Sequence, residues 1–430
     1  MSDLKAMYKT VMDDHFPETL TLTLGSTALV YKKRAWKIRD PDTGELVEKG
    51  LRYGENPGQE AALYELVNGN LVLGDCAFIS PGKGLVSALA EEGLLQFGKH
   101  PGKTNLTDID NALNILRYLE ARPACCIMKH NNPCGAAYGA DAGEAYDRAN
   151  RADRLAAFGG CAVFNVPVTP AAAKLVGENY IEVVAAPAYE AGAVEILKKR
   201  KNLRIVEIRR IDRIREYASE RFLDIKSLLD GGLVVQQSPL NRIRTAEDFL
   251  PAEAVVKGVT YRAKRPPTEP EKADFLFGWS IEQGVSSNSV LFVKDGATAA
   301  IGTGEQDRVG VTEIAIFKAY KKYADRVSFD RHGCLFFELA LKVKEGGLPR
   351  SALEEVQDEV RAARGGLLGS VAISDAFFPK RDAVDAIIAE GATAVVQPGG
   401  SLADREAIEV VNAARPPVAM VFTGQRAFKH

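Results

Sequence analysis

Apolar runs of a few residues alternate with stretches of helical periodicity along most of the chain. Residues 123–128, 161–166 and 181–186 are nearly continuous apolar runs, which predicts short buried strands, and the pattern at 170–178 predicts a helix. The alternation resumes with strands at 290–293, 298–301, 394–396 and 418–422 and a helix at 404–413. Strands separated by helices predict an α/β chain of layers around a mostly parallel sheet. Residues 1–50 read as an N-terminal extension with a helix, a Thr/Leu alternation at 19–24 and a hairpin pairing 35–39 with 45–47 around Asp40-Pro41-Asp42-Thr43-Gly44. Residues 216–285 are richer in charge and in helical pattern, ending in the apolar spacing of 275–283. The expected organisation is an extension at 1–50, a first α/β subdomain at 51–215, a helical connecting segment at 216–285 and a second subdomain at 286–430.

Composition narrows the function. With 430 residues, 46% of them hydrophobic, there is core for two or three globular units, and 55 basic against 57 acidic residues leave a formal charge of −2. No global field attracts nucleic acid or an anionic membrane, so an anionic ligand must be met locally. The basic run Lys198-Lys199-Arg200-Lys201 with Arg209-Arg210 lacks the interleaved aromatics of single-strand binding, and 203–208 between them alternates like a half-buried strand with solvent-facing basic neighbours. The six cysteines lack the spacing of a disulfide framework and read as reduced and buried. No apolar run suits a signal peptide or a membrane span, and the expected location is cytoplasmic.

The candidate chemistry lies at Met128-Lys129-His130-Asn131-Asn132-Pro133-Cys134-Gly135. An amine and an imidazole stand side by side where the run 123–128 ends, with Asn-Pro and Cys-Gly expected to force a turn after them. The end of a strand is where α/β sheets present reactive groups, and imidazole titrates near neutral pH. The plain alternative is a core histidine beside a surface lysine.

The neighbouring strings settle the preference. LRYGENP at 51–57, KHNNPCG at 129–135, AFGG at 157–160, SSNSV at 286–290, SDAFFPKRD at 374–382, QPGGS at 397–401 and RAFKH at 426–430 occur in order. Together the strings resemble the transformylase half of the bifunctional purine-synthesis enzymes, from Leu51 to the last residue. The resemblance implies two cytidine-deaminase-like α/β/α subdomains, an obligate homodimer, and transfer of a formyl group from 10-formyltetrahydrofolate to the 5-amino group of 5-aminoimidazole-4-carboxamide ribotide (AICAR). The separate N-terminal domain that closes the ring in the bifunctional enzymes is not among these strings, so a free-standing transformylase served by a separate cyclohydrolase is expected.

Formyl transfer to a weakly nucleophilic conjugated amine needs a base for the amine proton, a donor for the developing oxyanion and a proton for the departing folate nitrogen. By resemblance, His130 is the base and Lys129 serves the oxyanion or the leaving nitrogen. Asn288 is placed beside the carboxamide or formyl group. The resemblance gives the ribotide phosphate to Arg52 and Arg426, with Tyr53 in the same site, Phe377 and Phe428 as ring contacts, and Phe158-Gly159 as a close backbone approach. It gives the folate to Arg308, Pro379 and Asp382, and a monovalent cation such as potassium to the neighbourhood of Ser287 and Asp375. Without the strings, the arginines read as solvated surface charges and Asp382 as a helix-start aspartate.

Three residues depart from the family pattern. Lys380 stands where Phe is common, Ala383 where Asn is frequent and Gly58 where His is usual. They leave open another formyl donor, such as formate with ATP. QPGGS ahead of 404–413 reads as an anion cradle or, more simply, as a tight turn with a Ser cap. Neither a Walker loop nor a strand-linked G-x-G-x-x-G points to ATP or NAD. Zinc-dependent base deamination needs H-x-E and P-C-x-x-C, whereas His130 is followed by Asn131-Asn132 and Pro133-Cys134 by Gly135-Ala136-Ala137. The remaining alternative, a non-catalytic nucleotide-binding scaffold, is disfavoured by the presence of both Lys129 and His130.

Overall fold

The computed structural model describes residues 11–39, 44–97, 100–119 and 121–430. The helix expected at the start of the chain and the turn at Asp40–Thr43 fall outside them. The chain divides into two compact units, one of Met1–Glu120 with Gly159–Leu240 and one of Ala121–Phe158 with Asn241–His430.

In the first unit, Thr19–Leu24, Thr27–Arg34 and Leu63–Asn68 form an antiparallel sheet. A second sheet region runs in the order Cys161–Phe164, Val183–Ala186, Arg204–Glu207, Leu94–Gln96, parallel except for the last pair. The helix Pro170–Glu178 forms where the pattern predicts it: Thr169 caps it by accepting from the Ala172 amide, and Pro170 occupies the first turn, where no amide partner is lost.

The second unit carries the order Leu250–Pro251, Ala419–Phe422, Ala394–Gln397, Val371–Ser374, Val290–Lys294, Ala297–Gly302, Asn132–Tyr138, Ala124–Lys129. Only the run from Val371–Ser374 to Ala419–Phe422 is parallel. Alternation along Val290–Lys294 sends Val290 and Phe292 to one face, into a core with Val311, Ala315 and Ala372. Helix Arg308–His332 covers that face. On the opposite face Val293 and Ile373 meet helix Glu269–Glu282 so closely that a Cβ on Gly278 would lie 2.5 Å from Ile373 Cδ1. The result is a helix–sheet–helix sandwich, as expected of an α/β chain.

Two expectations are corrected. The sheet is mixed, because the strands around Lys129 and Lys294 turn back through two-residue loops, His130-Asn131 and Asp295-Gly296, all four residues at positive φ. Such loops join only antiparallel neighbours. Residues 216–285 are not predominantly helical: the hairpins Leu223–Ser227 with Leu233–Gln237 and Glu253–Val256 with Val259–Arg262 precede the one α-helix there, Glu269–Glu282, and the unit boundary falls within the segment, after Leu240. Leu233–Gln237 is exposed on every residue, which erases the two-residue alternation that marks a half-buried strand.

Candidate active site

The strand Ala124–Lys129 is buried up to Met128, and the chain then reverses. The reversal occupies His130 (φ 54°) and Asn131 (φ 60°), with Lys129 pairing with Asn132. The turn therefore comes before the Asn-Pro and Cys-Gly pairs that were expected to form it. Those residues lie in strand Asn132–Tyr138, where Pro133 is tolerated because the ladder bulges between Pro133 and Gly135. Asparagine accepts a left-handed backbone readily and histidine less so. His130 is exposed at the tip. Lys129 is half-buried, its Nζ 2.7 Å from the Phe158 carbonyl, while Phe158 is itself 61% exposed.

Several segments of the second unit close around this turn. Asn132 Oδ1 accepts from the Ser286 amide (2.9 Å) and from Thr303 Oγ1 (3.2 Å), which brings the SSNSV loop to the hairpin. In that loop the Asn288 amide donates to Glu305 O (3.1 Å) and Asn288 Nδ2 to Gln306 O (2.9 Å). The C-terminal tail runs past both: the Ser287 amide donates to Lys429 O (2.9 Å), the Ala427 amide to Asp375 O (3.0 Å), and Lys429 Nζ to Asn131 O (2.8 Å). Arg426 is exposed, with its guanidinium carbon 5.2 Å from the Phe377 ring centre and 5.5 Å from that of Phe428. Two aromatic faces thus hold a cation at the surface. Pro379 and Asp382 follow Phe377 as exposed residues, Asp382 at the first position of helix Asp382–Ala389.

Arg308, expected at the folate, is turned into the protein. Its side chain is 6% exposed; Nη1 donates to Ser289 O (2.8 Å), Ser374 Oγ (3.0 Å) and the fully buried Asp375 carboxylate, and Nη2 to Asn288 Oδ1 (2.9 Å). It orients Asn288 from behind and presents no open guanidinium edge. Ser287 Oγ donates to the other carboxylate oxygen of Asp375. With a guanidinium and a hydroxyl satisfying that carboxylate, Ser287 and Asp375 do not form a fitting cation site, and the chemistry below uses none.

Beneath this pair lies Glu282, which sequence reasoning did not single out. It is fully buried; Oε2 accepts from Ser289 Oγ and Oε1 has no partner. Burial, and next the charge of Asp375, push its carboxyl well above the usual carboxylate range. The folded chain then holds this proton at pH values where the unfolded chain releases it, so the group costs stability increasingly as pH rises above about 4.3. Glu282→Gln should therefore gain thermal stability relative to the parent as pH is raised from 5 to 8, by up to about 1.4 kcal/mol per pH unit. Parallel melting curves over that range check it; a constant difference would mean that Glu282 is ionised in the fold.

The first unit places the other candidates. Arg52 is 7% exposed; its Nη2 donates to Tyr53 Oη (2.9 Å) and its guanidinium carbon is 4.5 Å from the Tyr53 ring centre. Gly159 takes φ 78° and donates its amide to Tyr180 O (2.6 Å). The strand at 203–208 is not half-buried: Arg204 is 1% exposed, 3.5 Å from Glu182, and burial, aided by Arg52, holds its pKa down to about 10. Burial likewise depresses His100 to about 4, against the bond from its Nε2 to Gly50 O and together with the charges of Arg52 and Arg204. Arg52 and Arg204 thus lie within each other's field, with the Glu182 carboxylate beside Arg204. Burial hid Arg204 and His100 from sequence reasoning, since neither lies in a distinctive string.

QPGGS is a closed turn. Asp404 Oδ2 accepts from the Gly400 (2.7 Å) and Ser401 (3.0 Å) amides, so the chain's own carboxylate fills the cradle. A cavity of about 450 Å³ lined by Arg148, Lys294 and Arg326, among others, lies at the Lys294 end of the strands, away from the His130 turn. Among the described residues no His, Cys, Asp and Glu side chains group to hold a metal, no helix is long and apolar enough to cross a membrane, and the six cysteines form no disulfide.

The second unit of this mixed α/β chain thus brings together an exposed imidazole, an amine, an oriented amide and an aromatic-flanked arginine, the kinds of side chain found in enzyme sites. The AICARFT/IMPCHase bienzyme family matches residues 26–318, and the chain belongs to this family of purine-biosynthesis enzymes.

Proposed function

We propose that the chain is a formyltransferase that moves the formyl group of 10-formyltetrahydrofolate onto the 5-amino group of AICAR. The observation that carries this reading is the Lys129-His130 turn, presented to solvent at a strand end and braced against the Asn288 loop by the C-terminal tail. In the proposed step the amine nitrogen bonds to the formyl carbon while His130 removes an amine proton. The carbonyl oxygen gains negative charge, which Lys129 or Asn288 stabilises. As the oxygen reforms its double bond, the bond to the folate nitrogen breaks and that nitrogen receives a proton, from His130 or Lys129. Lys129 Nζ spends one of its three N–H groups on Phe158 O, which fixes the ammonium and leaves donors for the reacting oxygen.

The phosphate is assigned to Arg52 and Arg426, the imidazole face to Phe377 and Phe428, and the folate to the exposed Pro379 and Asp382; Arg308 acts through Asn288. A homodimer belongs to the same reading, supported by the hairpin Leu223–Ser227 with Leu233–Gln237, which exposes Leu229 in its turn and Leu233 and Val234 on its second strand. The test is an ultraviolet assay of the purified chain with AICAR and either 10-formyltetrahydrofolate or formate plus ATP, with products separated by chromatography. Formylated ribotide from the folate supports the reading; formylation only with formate and ATP replaces the donor. Catalytic conversion of supplied formylated ribotide to inosinate, without formyl transfer, assigns the chain to the family's other activity.

Arg426→Ala should weaken AICAR binding by about tenfold or more while changing folate binding less, because a charge-assisted contact is worth about 1.5–3 kcal/mol. Calorimetric titration with each ligand checks this, and equal losses for both would remove Arg426 from the phosphate.

A further inference from the structure

We infer that Lys429 is the positioning residue that holds the His130-Asn131 turn in its working geometry, an inference that rests on the formyltransferase reading for its kinetic consequence only. A turn that places a histidine at φ 54° persists when its surroundings determine it, since a left-handed conformation at a non-glycine residue costs about 1–2 kcal/mol. Lys429 supplies that determination from the far end of the chain. Its Nζ donates to Asn131 O (2.8 Å) and to Gly284 O (3.2 Å), and its own carbonyl accepts from the Ser287 amide (2.9 Å).

One residue thus ties together three segments: its side chain holds the hairpin tip and the chain leaving helix Glu269–Glu282, and its carbonyl holds the loop that carries Asn288. The contact spans 298 positions of sequence, and the Ala427 amide on Asp375 O anchors the tail just before it. Two of the three ammonium donors are spent on main-chain carbonyls, which suits a brace and not a proton donor. Both groups that the reading assigns to the reacting carbon, His130 and Asn288, are therefore set by the same residue.

The experiment compares the full chain with Lys429→Met, which keeps the apolar stem and removes the charge and donors, and Lys429→Arg, which restores them. For Lys429→Met the expected fall in kcat is on the order of 10- to 100-fold, the scale for an ångström of misplacement, with a smaller change in KM for AICAR. The shape of the pH–rate profile stays that of the parent. Amide hydrogen exchange of 129–133 and 284–288 speeds up in the same protein. Lys429→Arg recovers most of both effects. Unchanged exchange in Lys429→Met, or loss of one limb of its pH profile, overturns the inference, the second by making Lys429 a proton donor. If Lys429→Met does not fold, Lys429→Arg decides alone, by whether its exchange and kcat match the parent. If the parent itself transfers no formyl group, the functional reading falls while the exchange comparison still decides the role of Lys429.

Discussion

His130→Asn lowers turnover by about two to four orders of magnitude, the contribution of a positioned general base, and leaves AICAR binding close to that of the parent. Asparagine is the informative replacement because it tolerates the left-handed backbone at φ 54°; alanine would lose the imidazole and strain the turn together. The side chain is exposed, so no core contact is lost and the melting temperature should hold within a few degrees. Steady-state kinetics and calorimetric binding on the same preparation check both halves. Near-normal turnover would remove His130 as the base and leave Lys129 as the candidate.

Arg308→Ala is expected to destabilise the chain by about 3–5 kcal/mol, the cost of leaving a buried carboxylate without its partner. Asp375 has no exposed surface, and the guanidinium also serves Ser289 O, Ser374 Oγ and Asn288 Oδ1, so its removal strands acceptors that water cannot reach. Urea unfolding measures the loss. Asp375→Asn in the same background should recover part of it, since the uncompensated charge is then gone. If Arg308 were a folate contact, stability would change by less than about 0.5 kcal/mol, as at ordinary surface positions, and the loss would appear in folate binding. That result would overturn its inward role.

Much of the local structure was legible from residue order. The helices Pro170–Glu178 and Asp404–Ala413 and the strands around 124–129, 290–294 and 394–397 follow from short-range patterns of burial, spaced within the reach of one element. The Lys129-His130 pair was legible because both residues share one strand end, and the strings around Asn288, Phe377 and Arg426 marked segments that the tertiary structure links to it.

Direction and partnership were not legible. Periodicity shows which residues seek a core and is silent on which strand lies alongside, so the mixed order of the second unit and the left-handed hairpin loops His130-Asn131 and Asp295-Gly296 emerged only in three dimensions. A charged side chain carries no mark of where it points: Arg308 faces a carboxylate 67 positions away, Arg204 is buried beside Glu182, and Lys429 reaches a carbonyl 298 positions away. Those orientations follow from the cost of burying a charge without a partner, and the partner is supplied by chain packing, which no local stretch of sequence contains.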